Sequence, residues 1–478
     1  MKRYFYLVAI LSVFCFAGCG KDEIDEEKVV YYTNMFGFNM MSTYYLWNEE
    51  IAADLRKWSY KDDPIKKVKE IRYKDASGKE IDKWTEMTDD YAAFQGQVTG
   101  NTKSVGFDFR LFFADENKQN VIAVVTFTYD GSPASEAGLK RGDKIVALNG
   151  TLLTPDNYSA VLHSTILGDN ASTLTMEDGR EIRLTPRKMY LNPVNCSKVI
   201  EKDGKRIGYL HFTSFTMRAC SDLVPVFKDF KSRGVSELVL DLRYNGGGYS
   251  TTAQLLASMI VPGKEVENRS IFQRDVYNSI LTNAWDEELS YFDTNFLIKD
   301  EGSEYTVSTA GANLDITKLH VIMTEYSASA SEALVCGLMP YMDVDITGKQ
   351  TGGKYCGGFI VDGPTWFDWV KSELSKKDYR TGVRSTSNWG IYVMVSRYAD
   401  KNGDTPCMPD GFTPDKEVED NPLDGYELGD VNETMLAAAL GNSTVAPLSA
   451  RSRTPSLRME DQLPRKAVRI INIDNIVF

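Results

Sequence analysis

Two apolar segments in the second half of the chain each lead into a turn of small residues. The strand-like pattern at Glu237–Leu240 continues to Gly246-Gly247-Gly248, and the pattern at Leu319–Met323 is followed by Ser327-Ala328-Ser329. Strand and helix patterns alternate around both segments, from residue 188 to residue 430. This alternation predicts an α/β core over residues 188–430.

The chain has 478 residues, which is too long for one hydrophobic core and predicts a multidomain α/β protein. Residues 20–103 combine an acidic tether with a helical N-terminal domain, because Phe36, Met40, Tyr44 and Trp47 fall on one helix face. Residues 104–187 alternate apolar and polar positions in short runs, which indicates a β-rich domain. Residues 431–478 form a C-terminal extension without an assigned role.

The first 19 residues have the pattern of a secretory signal. A basic start at Lys2 and Arg3 precedes an apolar stretch that is too short to span a bilayer. The ending Phe16-Ala17-Gly18-Cys19 resembles a bacterial lipoprotein box, which implies acylation of Cys19 and an anchor in the outer membrane of a Gram-negative cell envelope. The acidic run after Cys19 resembles a signal for surface exposure. An ordinary signal peptide with an incidental cysteine is the alternative.

Charge and cysteine usage narrow the classes of partner. A formal net charge of −13 argues against nucleic acid, since such a chain repels a phosphate backbone. The seven cysteines show no zinc-site spacing, so we predict neither a metal nor a cofactor. Five cysteines follow the signal segment, so not all of them can pair. The sequence does not indicate an oligomeric state.

The β-rich segment carries a recognisable signature. It resembles a bacterial PDZ domain over Gly131-Ser132-Pro133-Ala134, Ala137-Gly138-Leu139-Lys140, Gly142-Asp143-Lys144-Ile145 and Leu148-Asn149-Gly150. A PDZ domain binds a chain terminus as an added strand and holds its carboxylate in a backbone nest. The resemblance implies that Val105, Gly106 and Phe107 form this nest, and a plain β-turn is the alternative. Arg141-Gly142-Asp143 lies where the PDZ pattern needs a turn, so we do not interpret it as an adhesion tripeptide.

The small residues after the Leu319–Met323 strand suit a nucleophile. A serine at a strand-to-helix turn exposes its hydroxyl, and the N–H groups of the helix start favour developing negative charge. The run Ser327-Ala328-Ser329-Ala330-Ser331 has this position. Tight packing and helix capping are the structural alternative for the same run.

A serine hydroxyl needs a base. The three histidines, His163, His211 and His320, form no recognisable Ser-His-Asp order. A lysine can serve instead when burial favours its neutral form. Lys354 lies in a glycine-rich stretch without another charge, although a lone lysine of this kind is also typical of a surface.

A glycine-rich turn is the third candidate element, after the serine run and the lysine. Gly246, Gly247 and Gly248 follow a strand, and their backbone can approach a substrate and donate N–H groups to an oxyanion. A tight turn without a substrate is the alternative.

In this order, and after a PDZ signature, these elements resemble the tail-specific or C-terminal processing peptidases, which are Ser-Lys endopeptidases, over residues 105–420. The resemblance implies that Ser329 is the nucleophile, Lys354 the general base, and Ala330 with Gly246 or Gly247 the oxyanion hole. Gly411-Phe412-Thr413-Pro414-Asp415 also resembles the sequence that closes the family's catalytic domain.

Two departures from the family pattern concern the lysine. Many members carry Gln four residues after it, where this chain has Gly358, and Tyr355 replaces a glycine directly after it. Glu332, one helical turn after Ser329, is a candidate to orient Lys354, and a capping role is the alternative. The shortened motif resembles a lipoprotein subgroup of the family.

We therefore expect a lipid-anchored serine endopeptidase that recognises C-terminal or extended segments of proteins. A catalytically inactive peptide-binding lipoprotein is the alternative. The presence of both Ser329 and Lys354 favours the enzyme, because a binding protein needs neither.

Overall fold

The computed structural model describes residues 25–99, 101–114, 116–285, 288–300, 302–442 and 468–470. The predicted signal, including Cys19, lies outside these residues, as does most of the predicted C-terminal extension. The helices, in chain order, are α1 Glu26–Asn39, α2 Ala52–Leu55, α3 Pro64–Ile71, α4 Tyr91–Thr99, α5 Pro133–Glu136, α6 Tyr158–Ser164, α7 Ala219–Ser232, α8 Ser250–Ile260, α9 Gly263–Glu267, α10 Ser279–Ala284, α11 Ala330–Leu338, α12 Gly363–Trp369, α13 Lys376–Ser385 and α14 Thr434–Ala439.

The strands are β1 Glu86–Thr88, β2 Asn101–Ser104, β3 Phe107–Phe113, β4 Val121–Thr128, β5 Lys144–Leu148, β6 Thr151–Leu152, β7 Ser172–Met176, β8 Glu181–Leu184, β9 Arg187–Tyr190, β10 Val194–Lys202, β11 Lys205–Phe212, β12 Glu237–Asp241, β13 Gly247–Tyr249, β14 Ile271–Tyr277, β15 Glu288–Tyr291, β16 Asn295–Asp300, β17 Ser303–Ser308, β18 Lys318–Met323, β19 Asp343–Gly348, β20 Cys356–Asp362, β21 Gly390–Ala399, β22 Lys416–Glu417 and β23 Val468–Ile470. Short π-helical and 3₁₀ turns add Met40–Tyr44 and Lys371–Glu373.

Two sheets build the core of the molecule. One has the order β10-β11-β12-β18-β19-β22 and is parallel except at β10, and its central strands are buried apolar runs, as expected for a sheet covered on both faces. The other has the order β13-β23-β20-β21-β14-β15, with β1 paired to β21. The region between α8 and β18, where the sequence shows little periodicity, contributes the four strands β14 to β17.

The N-terminal unit, residues 26–99, shares its apolar core with these sheets. The predicted helix face does not continue to Trp47, because α1 ends at Asn39 and Trp47 lies in a turn after the π-helical segment. Phe36 and Met40 are fully inaccessible, Trp47 is buried and Tyr44 is half-buried. Phe36 contacts the ring of Trp366 in α12, at a centroid distance of 5.7 Å. Strand β1 extends the second core sheet by pairing with β21. Apolar contacts and a shared sheet therefore join this unit to the core.

The sheet unit, residues 105–187, has a separate apolar core. Its sheet has the order β3-β4-β5-β7-β8, with β3 at one edge. Leu111, Ile145, Leu148, Leu162 and Leu174 belong to a buried cluster confined to this unit. Most of its apolar residues pack on one another, and only small clusters reach the core, where Phe112 lies near Leu423 and Phe127 near Tyr244 and Leu428.

Buried charged groups add further docking contacts. The fully buried guanidinium of Arg141 donates to Tyr244 Oη at 2.9 Å and to Asp420 Oδ1 at 2.7 Å. Arg243, also fully buried, binds Asp420 at 3.0 Å and Glu433 at 2.7 Å. Burial by itself would raise the pKa of Asp420, but Arg141 and Arg243 hold it well below its usual range. The Arg141 side chain therefore secures the sheet unit to the core.

The first residues of the predicted C-terminal extension pack on the core. Met435 and Leu436 of α14 are buried against the first sheet, and Glu433 is the buried partner of Arg243. Among the described residues, no helix has the length and apolar character needed to cross a membrane. The five described cysteines are all free.

Candidate active site

Ser329 lies at the turn between β18 and α11 in an unusual backbone conformation. It has φ of 62° and ψ of −116°, directly before Ala330, the first residue of the helix. A residue with a side chain rarely adopts such angles, and the strain costs about 1–3 kcal/mol. Its side chain is buried, and its Oγ has no hydrogen-bond partner among the described residues. The turn therefore holds a buried hydroxyl whose bonding capacity is unused.

The two neighbouring serines serve the turn itself. Ser327 Oγ donates to the carbonyl of Leu242 at 2.7 Å and accepts from Thr324 N–H at 2.9 Å. Ser331 Oγ donates to the carbonyl of Asn245 at 2.8 Å. Of these three hydroxyls, only that of Ser329 is left for another role.

Glu332 links the serine turn to the segment that carries Lys354. Its Oε2 accepts from the backbone N–H of Ser329 at 3.0 Å and of Lys354 at 2.8 Å. Its Oε1 accepts from Gly353 N–H at 2.8 Å and from the hydroxyl of Thr351. Burial raises the pKa of the Glu332 carboxyl, although these four bonds act in the opposite direction. A single carboxylate oxygen thus brings the backbones of Ser329 and Lys354 together.

The Lys354 side chain is fully buried in an aromatic pocket. Its Nζ donates to Tyr392 Oη at 2.7 Å and lies 4.6 Å from the centroid of the same ring. Trp84 of the N-terminal unit lies across the pocket, with its ring 5.4 Å from Nζ. Burial favours the neutral form of an amine, which is the form that a lysine base needs.

Residues 351–354 follow a path that admits no side chain at Gly353. This residue has φ of +71°, and a Cβ there would lie 2.9 Å from the backbone nitrogen of Gly411. Thr351 and Phe412 exchange hydrogen bonds, from Thr351 N–H to the Phe412 carbonyl at 3.1 Å and from Phe412 N–H to Thr351 Oγ1 at 2.7 Å. The Gly411-Phe412 sequence near the end of the core therefore supports the lysine segment.

Asn245 connects the glycine turn to the serine turn. Its carbonyl accepts from Ala328 N–H at 3.2 Å as well as from Ser331 Oγ. Its side-chain Oδ1 accepts from Gly247 N–H at 2.9 Å, which commits that donor. Within the described part of the chain, the N–H groups of Gly246 and Ala330 donate no hydrogen bond. Gly246 is therefore better placed than Gly247 to meet an oxyanion.

The remaining candidates lie elsewhere. Val105, Gly106 and Phe107 belong to the sheet unit, where Gly106 N–H donates to Ser104 Oγ at 3.0 Å. His163 is on the exposed side of α6. His211 donates to Asn195 Oδ1, and His320 lies between the carboxylates of Glu237 and Asp345. None of these three histidines is therefore a candidate for the base of Ser329.

The structure adds three residues that sequence reasoning missed. Tyr392 and Trp84 line the lysine pocket from positions far along the chain, and neither lies in a motif. Asn245 was detectable in principle, because it directly precedes the glycine run. Among the described residues, no group of three His, Cys, Asp or Glu side chains is arranged to hold a metal ion.

Comparisons with known proteins find similarity to peptidases. Residues 206–418 match the profile of peptidase family S41. The carboxyl-terminal-processing protease of Picosynechococcus sp. is 23% identical over 361 residues, covering 73% of this chain and 72% of that protein. The carboxy-terminal processing protease CtpB of Bacillus subtilis is 24% identical over 278 residues, covering 56% of this chain and 52% of that protein.

A crystal structure from Bacteroides fragilis, assigned to the S41 proteases, shares the fold. It superposes with a TM-score of 0.64 at 24% identity and covers 85% of this chain and 96% of that one. The likeness extends beyond residues 206–418 to most of the chain.

Proposed function

Because the chain belongs to the carboxyl-terminal processing proteases of peptidase family S41 and is a serine-type peptidase acting on proteins, we propose that Ser329 is its nucleophile and Lys354 its general base. The observation that carries this assignment is the shared carboxylate of Glu332. It binds the backbone N–H of both residues while the Ser329 hydroxyl is left without a partner among the described residues.

The chemistry follows from these positions. The neutral amine of Lys354 accepts the proton of Ser329 Oγ while Oγ bonds to the scissile carbonyl carbon. The carbonyl oxygen takes the negative charge, which the N–H groups of Ala330 and Gly246 stabilise. Lys354 then delivers its proton to the departing amine as the C–N bond breaks. Water hydrolyses the resulting ester by the same route and restores the serine.

In this structure Lys354 Nζ is bound to Tyr392, and Ser329 Oγ makes no hydrogen bond to the described residues. Catalytic hydrogen bonds are commonly long in substrate-free enzymes and tighten when substrate binds. We expect substrate to bring Nζ and Oγ within hydrogen-bond distance.

An extended chain fits beside the glycine turn. Val468–Ile470 of this protein pairs in parallel with Gly247–Tyr249, and Ile470 is also paired with Gly358 of β20. This arrangement supports binding of the substrate as an added strand between the oxyanion turn and the strand that follows Lys354.

The test uses matched serine variants. Ser329→Ala and Lys354→Ala should each abolish nearly all cleavage of an unfolded protein, and the double variant should lose little more, because the two groups act as one unit. Lys354→Arg should also be inactive, since a guanidinium does not deprotonate. Ser327→Ala loses two structural hydrogen bonds and Ser331→Ala loses one, at about 1 kcal/mol each, and both variants should keep substantial activity. Full activity in Ser329→Ala would refute the assignment.

The sheet unit is proposed to be a PDZ domain that recognises substrate C-termini at Val105, Gly106 and Phe107. The edge position of β3 supports this role, because a peptide can add to an edge strand. Amidating the C-terminus of a bound peptide should weaken its affinity about tenfold or more through lost charge-assisted bonds. Equal affinity for the acid and the amide would exclude this mode.

Localisation follows from the sequence alone. Cys19 is proposed to be acylated, which would anchor the peptidase in the outer membrane of a Gram-negative cell envelope. The apolar stretch before Cys19 and the lipobox-like residues support this. Cys19→Ala should release the protein from membranes in a fractionation experiment. A variant that still sediments with membranes would contradict the anchor.

A further inference from the structure

The position four residues after Lys354 holds no side chain that could support the amine. A Cβ at Gly358 would lie 2.3 Å from the carbonyl oxygen of Val393 and 2.9 Å from the ring of Tyr392. Both atoms belong to β21, the strand paired with β20. The neighbouring strand therefore occupies this space, and it supplies the tyrosine that reaches Lys354.

Glu332 meets the lysine residue differently. Its contact is with the backbone N–H of Lys354, so it fixes the path of the chain. The side-chain nitrogen has its contact with the phenol of Tyr392, which is 2% exposed. Backbone and side chain of the proposed base are thus held by two different residues.

The geometry points to Tyr392 as a positioning residue for the Lys354 amine. The phenol oxygen accepts one N–H, which limits the rotation of a long side chain and leaves the nitrogen lone pair available for the serine proton. The same oxygen also accepts from the protonated amine, and a hydrogen bond to a charged group favours the charged form. Tyr392 therefore affects both the orientation and the protonation of the base.

The N-terminal unit holds this tyrosine in place. The ring of Phe94 in α4 lies 6.2 Å from the ring of Tyr392. Trp84 closes the pocket from the same unit. The titratable groups that contact Lys354 include Tyr392 and Tyr398 from β21 and Glu332 from α11. Tyr398 differs from Tyr392 because its hydroxyl donates to the Lys354 backbone carbonyl, at 3.0 Å.

The test compares Tyr392→Phe with Tyr398→Phe in the full chain. Tyr392→Phe keeps the ring and removes the acceptor. We expect kcat to fall about tenfold with KM little changed, and the acidic limb of the pH profile to move about one unit to lower pH, because the charged amine loses a partner. Tyr398→Phe should leave the midpoint of that limb unchanged. Wild-type kcat and pH profile in Tyr392→Phe, or an equal shift in Tyr398→Phe, would overturn the inference.

A second measurement tests the same role of Tyr392 if the Tyr392→Phe variant does not fold. Replacement of Tyr392 by 3-fluorotyrosine keeps the ring and hydroxyl but makes the oxygen a poorer acceptor. The rate of Ser329 labelling by a fluorophosphonate probe should then show the acidic limb displaced to lower pH, and an unchanged limb would refute the role of Tyr392.

This inference rests on the proposed Ser329–Lys354 dyad, and the two proposals can fail separately. Activity in Lys354→Ala would refute the dyad. An inactive Lys354→Ala together with wild-type kinetics in Tyr392→Phe would refute only the role of Tyr392.

Discussion

The N-terminal unit and the sheet unit are joined to the same core by different mixtures of contact. The N-terminal unit shares one apolar cluster with the core, with Phe36 against Trp366, and adds β1 to a core sheet. The sheet unit keeps its own main apolar cluster, and it docks through two small apolar clusters and through the buried ions around Arg141. Opening the N-terminal junction would expose the shared core, whereas the sheet-unit junction depends in addition on a few exact ion pairings.

The difference also separates two functions. The apolar unit places Trp84 and Phe94 around the lysine pocket, so it is part of the proposed catalytic site. The ionic junction ends at Tyr244, directly before the Asn245 that links the glycine and serine turns. The unit that shares the main apolar core therefore lies on the side of the base, and the unit with its own core lies on the side of proposed substrate recognition.

The largest expected effect tests the shared core. Phe36→Ala should destabilise the protein by about 3–5 kcal/mol, because it removes a fully buried ring. Hydrogen exchange should accelerate in β21 as well as in α1, since the two belong to one cooperative unit. Leu148→Ala, the matched deletion in the sheet unit, should accelerate exchange within that unit only. Acceleration of β21 by Leu148→Ala would show that the two cores are not independent.

A smaller effect should break the ionic junction. Arg141→Met removes one of the two guanidinium partners of Asp420, and losing one member of a buried pair costs about 3 kcal/mol. The sheet unit should become accessible to proteolysis at its boundary while β21 keeps its protection. Arg180→Met, which removes an exposed guanidinium of the same unit, is the control and should leave proteolysis unchanged. Equal cleavage of both variants would argue against a docking role for Arg141.

The smallest effect appears only in acid. His211 packs against Phe127 of the sheet unit, at a centroid distance of 5.0 Å, and burial lowers its pKa to about 4. Between pH 6.5 and 4, His211 is protonated in the unfolded chain but largely neutral in the folded chain, so the free energy of unfolding falls as the pH falls. At pH 5 the loss is about 2 kcal/mol.

His211→Asn should remove that part of the acid sensitivity in urea unfolding measured at pH 7 and pH 5. His163→Asn, at an exposed site, should not. Some acid sensitivity should remain in His211→Asn, because burial also lowers the pKa of His320. If wild type and His211→Asn lose the same stability between pH 7 and pH 5, His211 does not cause the acid sensitivity.

Local patterns were sufficient for much of the architecture. The apolar run at Leu319–Met323 and the small residues after it are properties of adjacent residues, and the structure confirms them as β18 and the serine turn. The strands β14 to β17 were not predicted, because their residues show little alternation. Of these strands, β14 also depends on pairing with the distant β21, whereas β16 and β17 pair with each other. The choice among Ser327, Ser329 and Ser331 needed the resemblance, since the three share one local pattern.

The sequence by itself determined the order of the units, the strand-to-turn positions of the glycine and serine runs, and the isolation of Lys354 from other charges. Only the tertiary structure decided which hydroxyl lacks a partner, that Glu332 binds the backbones on both sides of the site, and that Tyr392 holds the lysine amine. The reason is physical. Hydrogen bonds and burial depend on atoms that the fold brings together, and Tyr392 reaches Lys354 across paired strands that no local spacing reveals.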